Sequence, residues 1–331
     1  MKNFLAMTDI DDAGLERVLK KSQTNKQRMQ ARQQPEMVFP QGGGATFGTI
    51  KASFRTYGSQ MNAAVWSGGR FDYYGPDNLA GKKYYGFREP PRHLAAILDE
   101  WGSTDVLSVR CHEDAALHEM AERLQESRIA LINALSVNEH PLQALADLAV
   151  LREFYGQEDF EKMVIAFIGP WNNVSRSLAL ACAKLRIDYR QSLPKHVFGD
   201  GDATWEKAQQ IAAAHGSKME FIPDAFDAAT DANVVSADVF ASMGPEKDKA
   251  SELAAIFQHH RITPDVMSRT RHVSDDTRRG VFIHCMPIED EADLAVYDGP
   301  DSLIIPQAGF RAFTLPALWE EMGILKPRQQ Q

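Results

Sequence analysis

The sequence predicts an α/β protein: two doubly wound parallel-sheet domains linked by helices, with the C-terminal helix packing back on the first domain. Apolar, β-branched runs of strand length alternate with helical stretches, an order that builds parallel sheets covered on both faces. The 331 residues also exceed what one core organises, at about 100–200 residues per domain. The break falls on a helix running from Pro141 to about Tyr155, which gives domains 1–148 and 149–312 and a returning segment 313–331. Two domains imply a cleft between them.

After Met29, prolines and three successive glycines end a first helical segment and lead into an apolar stretch, read as a loop followed by a strand. Strands are then expected at 106–110, 129–135, 164–169, 219–223, 232–239, 281–286 and 303–307. Between them, the stretches 115–127, 142–156, 175–185, 204–216 and 245–260 carry apolar residues near a 3.6 period and read as helices. A last helix spans Leu315 to about Met322, and the final KPRQQQ is a frayed tail. In open α/β sheets, ligands bind beyond the carboxyl ends of the strands, so the residues just after each strand are the ones to examine.

Composition narrows the function classes. The chain is 44% hydrophobic, 24% charged and 9% aromatic, with no apolar run near the roughly 20 residues of a membrane span. Neither an h-region nor a small-residue cleavage site opens it, so a cytoplasmic location is expected. Cys111, Cys182 and Cys285 are too few and too dispersed for a disulfide framework or a zinc site, and no metal or cofactor is expected. A net charge of −9 with pI near 5.6 weighs against nucleic-acid binding. A few inward arginines can still make a local site for a small anion.

Four segments carry chemistry. Ser53-Phe54-Arg55-Thr56 lies between a strand and a helical stretch, where hydroxyls and backbone N–H groups at a helix N-terminus suit phosphate, and Arg55 adds a forked donor. Arg110 ends a strand and would project toward the crevice. His140-Pro141-Leu142-Gln143 sits at a strand-to-helix junction, with Pro at an early helical position. His284-Cys285-Met286-Pro287 follows a strand, and its proline keeps the preceding residue extended. Singly, each has a plainer reading: a helix cap, a surface ion pair, a capping histidine, an inert thiol.

Taken together and in chain order, they resemble the aspartate/ornithine carbamoyltransferase family over nearly the whole chain, most closely its ornithine branch. SFRT is similar to the family's STRT phosphate loop, HPLQALAD to HPxQxLAD and HCMP to HCLP, while Arg311 in QAGFRAFT falls where the family has its last donor-site arginine. The resemblance implies a carbamoyl phosphate-binding domain (1–148) and an amino-acid-binding domain (149–312). It implies that Ser53, Phe54, Arg55, Thr56, Arg110, His140, Gln143, Cys285, Met286 and Arg311 bind carbamoyl phosphate, with Arg55, Arg110, His140 and Cys285 as the catalytic group. GPWNNVSRSLALACAKL and SADVFASMG match the ornithine branch and imply that Asn173, Asp238, Ser242 and Met243 hold the acceptor. The expected partners are carbamoyl phosphate, a small amine and further copies of the chain in a homotrimer or a multiple of it.

Departures leave alternatives open. Tyr57 replaces the family's arginine, Met286 its leucine, and Pro170-Trp171 an Asp-containing dipeptide. The stretch GPDNLAGKKYYGFREPPRH is longer and more aromatic than the family's loop into a neighbouring site, which Lys82 or Lys83 would enter here. The acceptor could therefore be a diamine, a shorter diamino acid or an N-acylated ornithine, or the chain a catalytically silent paralogue. A nucleotide-dependent dehydrogenase shares the strand-helix alternation, but GGGATFG precedes a strand instead of opening a helix.

Overall fold

The computed structural model describes residues 1–197, 201–241, 250–271 and 280–328. The chain divides into two compact units, Met1–Ala149 with Ala308–Gln331, and Val150–Gln307.

The first unit holds a four-stranded parallel sheet of β1 (Gly44–Thr49), β2 (Arg70–Tyr74), β3 (Val106–Arg110) and β4 (Ala130–Leu135), in the order β2-β1-β3-β4. Its helices are α1 (Asp12–Gln30), α2 (Phe54–Trp66), α3 (Pro91–Trp101), α4 (Asp114–Arg123) and the start of α5 (Pro141–Phe160), which is interrupted at Gly156. Period-2 alternation decides what each sheet face meets. On one face α2 lays Tyr57 against Phe71 and Tyr73, at 5.6 and 4.9 Å between ring centroids. On the other, Leu107, Val109 and Leu131 pack with Ala95 and Leu98 of α3 and Leu117 and Met120 of α4.

The second unit carries β5 (Val164–Ile168), β6 (Asp188–Ser192), β7 (Met219–Phe221), β8 (Val234–Ala237) and β9 (Val281–His284), all parallel, in the order β9-β8-β5-β6-β7. Helices α6 (Asn173–Lys184) and α7 (Ala203–His215) belong to it. Its strands β5, β8 and β9 read as nearly continuous apolar runs because both faces are buried, β8 and β9 at every position, whereas β6 and β7 carry polar residues. The last helix, α8 (Ile304–Glu321), contains Pro316, and beyond it Lys326–Pro327 pairs antiparallel with Met37–Val38.

One expected strand is corrected. Residues 303–307 open α8 instead of forming a strand, and only Ser302 bridges to Phe282. A short apolar run does not distinguish a strand from a buried helix start. Here Pro306 falls in the first turn, where its missing N–H costs nothing, and Ile305 is 71% exposed, which a buried strand does not allow. Among the described residues no helix is long and apolar enough to cross a membrane.

Candidate active site

Each sheet has a topological switch point, where Ser53 to Thr56 and Arg110 lie in the first unit and Asn173 and Asp238 in the second. In the first unit the chain runs from β1 out to β2 and then crosses to β3 on the other side of β1. Loops at the carboxyl ends of β1 and β3 therefore diverge and leave a crevice. Ser53 to Thr56 follow β1, and Arg110 ends β3.

Ser53 caps α2: its hydroxyl oxygen accepts from the Thr56 backbone N–H at 3.4 Å and its O–H donates to Thr56 Oγ1 at 2.9 Å. The cap fixes the helix N-terminus, whose first-turn N–H groups point the way an anion site requires. Phe54, the first residue of α2, turns its ring outward at 88% exposure, so only its backbone can serve such a site. Arg55 and Arg110 are half-buried, and Thr56 is buried.

Arg311 ties the group together from α8. Its Nη1 donates to Gln143 Oε1 at 2.7 Å and approaches His140 Nε2 at 3.3 Å, while its Nη2 donates to Thr56 Oγ1 at 3.2 Å. Gln143 is fixed in turn by donating Nε2–H to Asp147 at 2.8 Å. Because a guanidinium only donates, His140 Nε2 accepts, which assigns the ring proton to Nδ1. Burial holds the His140 imidazole well below its ordinary pKa, and the charges of Arg311, Arg110 and Arg55 push the same way. His140 is thus neutral, and all three arginines act on it. Five positions scattered over 257 residues of chain, Arg55 to Arg311, meet in one cationic cluster.

The second unit repeats the arrangement. From β5 the chain moves outward to β6 and β7, then returns to β8 on the opposite side, so the switch point lies between β5 and β8. Asn172 and Asn173 follow β5, and Asp238 follows β8. Asn172 caps α6, its Oδ1 accepting from Val174 N and Ser175 N, and its Nδ2 donates to Asp238 Oδ2 at 2.8 Å. Burial pushes the Asp238 carboxyl up to about 6, against the opposing pull of His284, the Val239 N–H and the Asn172 amide. Asn173 is buried as the first residue of α6. Ser242 and Met243 lie outside the described residues.

Cys285 and Met286 follow β9 in this unit, both half-buried. Beside them, buried His284 places Nε2 at 3.0 Å from Glu291 Oε1. Burial acts to raise the Glu291 carboxyl, but His284 and the Glu289 N–H outweigh it and hold it below the usual range. Lys82 and Lys83 are exposed on the short strand Ala80–Tyr84.

Two residues escaped sequence reasoning. Asn172 donates to Asp238; its signal was the Asn-x-x-Ser capping box with Ser175. Glu291 was hidden in the acidic run after HCMP, where nothing local marked one carboxylate as buried.

Known proteins match this frame over most of the chain. The carbamoyl phosphate-binding domain of aspartate/ornithine carbamoyltransferases matches residues 2–153, and the Asp/Orn-binding domain residues 161–322. Ornithine carbamoyltransferase of Methanopyrus kandleri is 31% identical over 320 residues, covering 96% of this chain and 95% of the relative. That of Gloeobacter violaceus is 29% identical over 308 residues, 92% and 90% of the two chains. The solved ornithine carbamoyltransferase of Pyrococcus furiosus superposes with a TM-score of 0.85 at 26% identity over 98% of both chains. With both family domains matched in order, and arginines, histidine and asparagines gathered at the two switch points, the chain belongs to the aspartate/ornithine carbamoyltransferase family and is a carbamoyltransferase.

Proposed function

We propose that the chain transfers the carbamoyl group of carbamoyl phosphate to the side-chain amine of L-ornithine. The observation that carries the donor half is Arg311 bonded at once to Thr56 and Gln143 and lying against His140. Three guanidinium groups around a neutral imidazole and a capped helix N-terminus suit a dianionic phosphate joined to a polar carbonyl.

In this reading Ser53, the Phe54 N–H, Arg55, Thr56 and Arg110 hold the phosphate, with Arg311 completing the clamp. The neutral amine attacks the carbonyl carbon; the new C–N bond forms as the C–O bond to phosphate breaks, and the departing phosphate takes the bonding pair and then the amine's proton. Negative charge grows on the carbonyl oxygen, where Thr56, Arg110 and the single N–H of His140 donate. One well-placed donor of this kind contributes about 3–4 kcal/mol. The Gln143 side-chain oxygen accepts from the carbamoyl NH2. Asp238, ionised above pH 6 and steadied by Asn172, pairs with an ammonium of the acceptor, together with Asn173, Ser242 and Met243. Transfer needs the amine and the carbonyl carbon within bonding reach and water excluded.

Ornithine is the acceptor named for the relatives in Methanopyrus and Gloeobacter. A shorter diamino acid is the second reading, from one feature: Trp171, beside Asn172, adds an indole that packs on Trp205 at 5.4 Å and lies 5.9 Å from the Arg176 guanidinium. The same proposal makes the protein a cytoplasmic homotrimer or a multiple of it. Initial rates of phosphate release and ureido product over an amine panel test it. L-ornithine should be the best acceptor with the two products in equal amounts; turnover of another amine with ornithine inert overturns the acceptor assignment.

A further inference from the structure

The cationic cluster stands over a polar layer that none of the roles above uses. Gln60 follows Thr56 by one helical turn on α2; it is 0% exposed, and neither its amide nitrogen nor its amide oxygen has a hydrogen-bond partner. Ser108, two residues before Arg110 on β3, is also 0% exposed, and its hydroxyl has none either. An unpaired buried amide is destabilising, and a side chain of the same size without polar atoms would serve the core better.

The two groups share a layer. The contacts of Tyr57 with Phe71 and Tyr73 fix α2 over one sheet face, and the register pairs Tyr73 with Phe47 and Phe47 with Ser108 on that face. Gln60 lies about 6 Å along the helix from Thr56, and Ser108 about 7 Å along the strand from Arg110, so both sit at one depth beneath those side chains. Long side chains on a helix lean toward its N-terminus, and residues four apart are surface neighbours, which brings the Gln60 amide back under Thr56.

Resting on the function proposed above, we infer that Gln60, with Ser108 opposite it, is a positioning residue for carbamoyl phosphate. The Thr56 hydroxyl oxygen now accepts from both Ser53 and Arg311. When the donor draws Arg311 away to its phosphate, the Gln60 NH2 donates to Thr56 Oγ1 in its place, so the Thr56 O–H turns to the substrate. The Gln60 carbonyl oxygen accepts from the Arg110 guanidinium, and the Ser108 hydroxyl braces the turned amide.

The test is Gln60→Met and Ser108→Ala in the full-length protein, with thermal midpoints and separate KM values for carbamoyl phosphate and L-ornithine. Gln60→Met should keep or raise the midpoint, raise the carbamoyl phosphate KM at least tenfold and leave the ornithine KM within twofold; Ser108→Ala should raise the donor KM about threefold. A folded Gln60→Met with the wild-type donor KM overturns the inference, as does a lowered midpoint with both KM values raised together. If Gln60→Met does not fold, an unchanged donor KM in Ser108→Ala overturns it. A wild-type protein that transfers no carbamoyl group sinks the underlying reading, whereas an active wild type with indifferent variants sinks this inference alone.

Discussion

Arg311 Nη1 donates to Gln143 Oε1 at 2.7 Å, joining a side chain of α8 to one from the first turn of α5. The same fork also donates to Thr56 and His140, so three partners are held by one planar group. Lysine supplies a point charge and cannot span them. Arg311→Lys should raise the carbamoyl phosphate KM by about tenfold to a hundredfold, the equivalent of one hydrogen bond to a charged group at about 1.5–3 kcal/mol. Steady-state kinetics at fixed saturating acceptor check this.

His140 makes the fold sensitive to acid. Its folded pKa is depressed, so below about pH 6.5 the unfolded chain binds a proton that the folded chain refuses. Its contribution to stability is full above that value and is lost as pH falls toward the folded pKa, by up to about 1.4 kcal/mol per pH unit. His140→Gln should flatten the thermal midpoint between pH 5 and 6.5 relative to wild type. A parallel decline in both proteins would assign the acid loss to other groups.

Asp238 works in the opposite direction. Its folded pKa is raised to about 6, so its contribution to stability is present below about pH 3.8 and is lost as pH rises through 6. The same ionisation creates the charge that pairs with the acceptor. Asp238→Asn should therefore be more stable than wild type at pH 8, on the order of 2–3 kcal/mol, while its acceptor kcat/KM falls at least a hundredfold and loses the rise centred near pH 6. Denaturant titration and a pH profile of acceptor kcat/KM measure the two effects.

Glu291 and His284 form a buried pair at 3.0 Å, and removing one partner of such a pair leaves the other uncompensated. Glu291→Leu should destabilise the protein by about 1–3 kcal/mol, the cost of leaving a buried polar partner unsatisfied. The denaturation midpoint reads this directly, and a change below 1 kcal/mol, roughly the value of an exposed pair, would contradict the buried coupling.

The sequence marked the donor cluster because every member sits where a strand ends, at a place that strand-helix alternation makes predictable: Ser53 to Thr56 after β1, Arg110 on β3 and His140 before α5. Arg311 was reached only through the family resemblance, since the run before it was read as a strand and the structure makes it the start of a helix. Asn172 and Asn173 were a visible pair, but that Asn172 both caps the helix and reaches a carboxylate depends on the turn after β5. Glu291 and Gln60 were invisible for another reason. Their burial follows from long-range packing, and a Glu in an acidic run or a Gln in an amphipathic helix has the same local signature when exposed to solvent.

A crystal structure of the protein with carbamoyl phosphate tests the donor hollow most directly. The phosphate should lie within hydrogen-bond distance of Arg55, Arg110 and the backbone N–H groups at the start of α2, with the carbonyl oxygen facing Thr56 and His140. A donor bound elsewhere, with Arg311 still closed on Gln143 and Thr56, would contradict it.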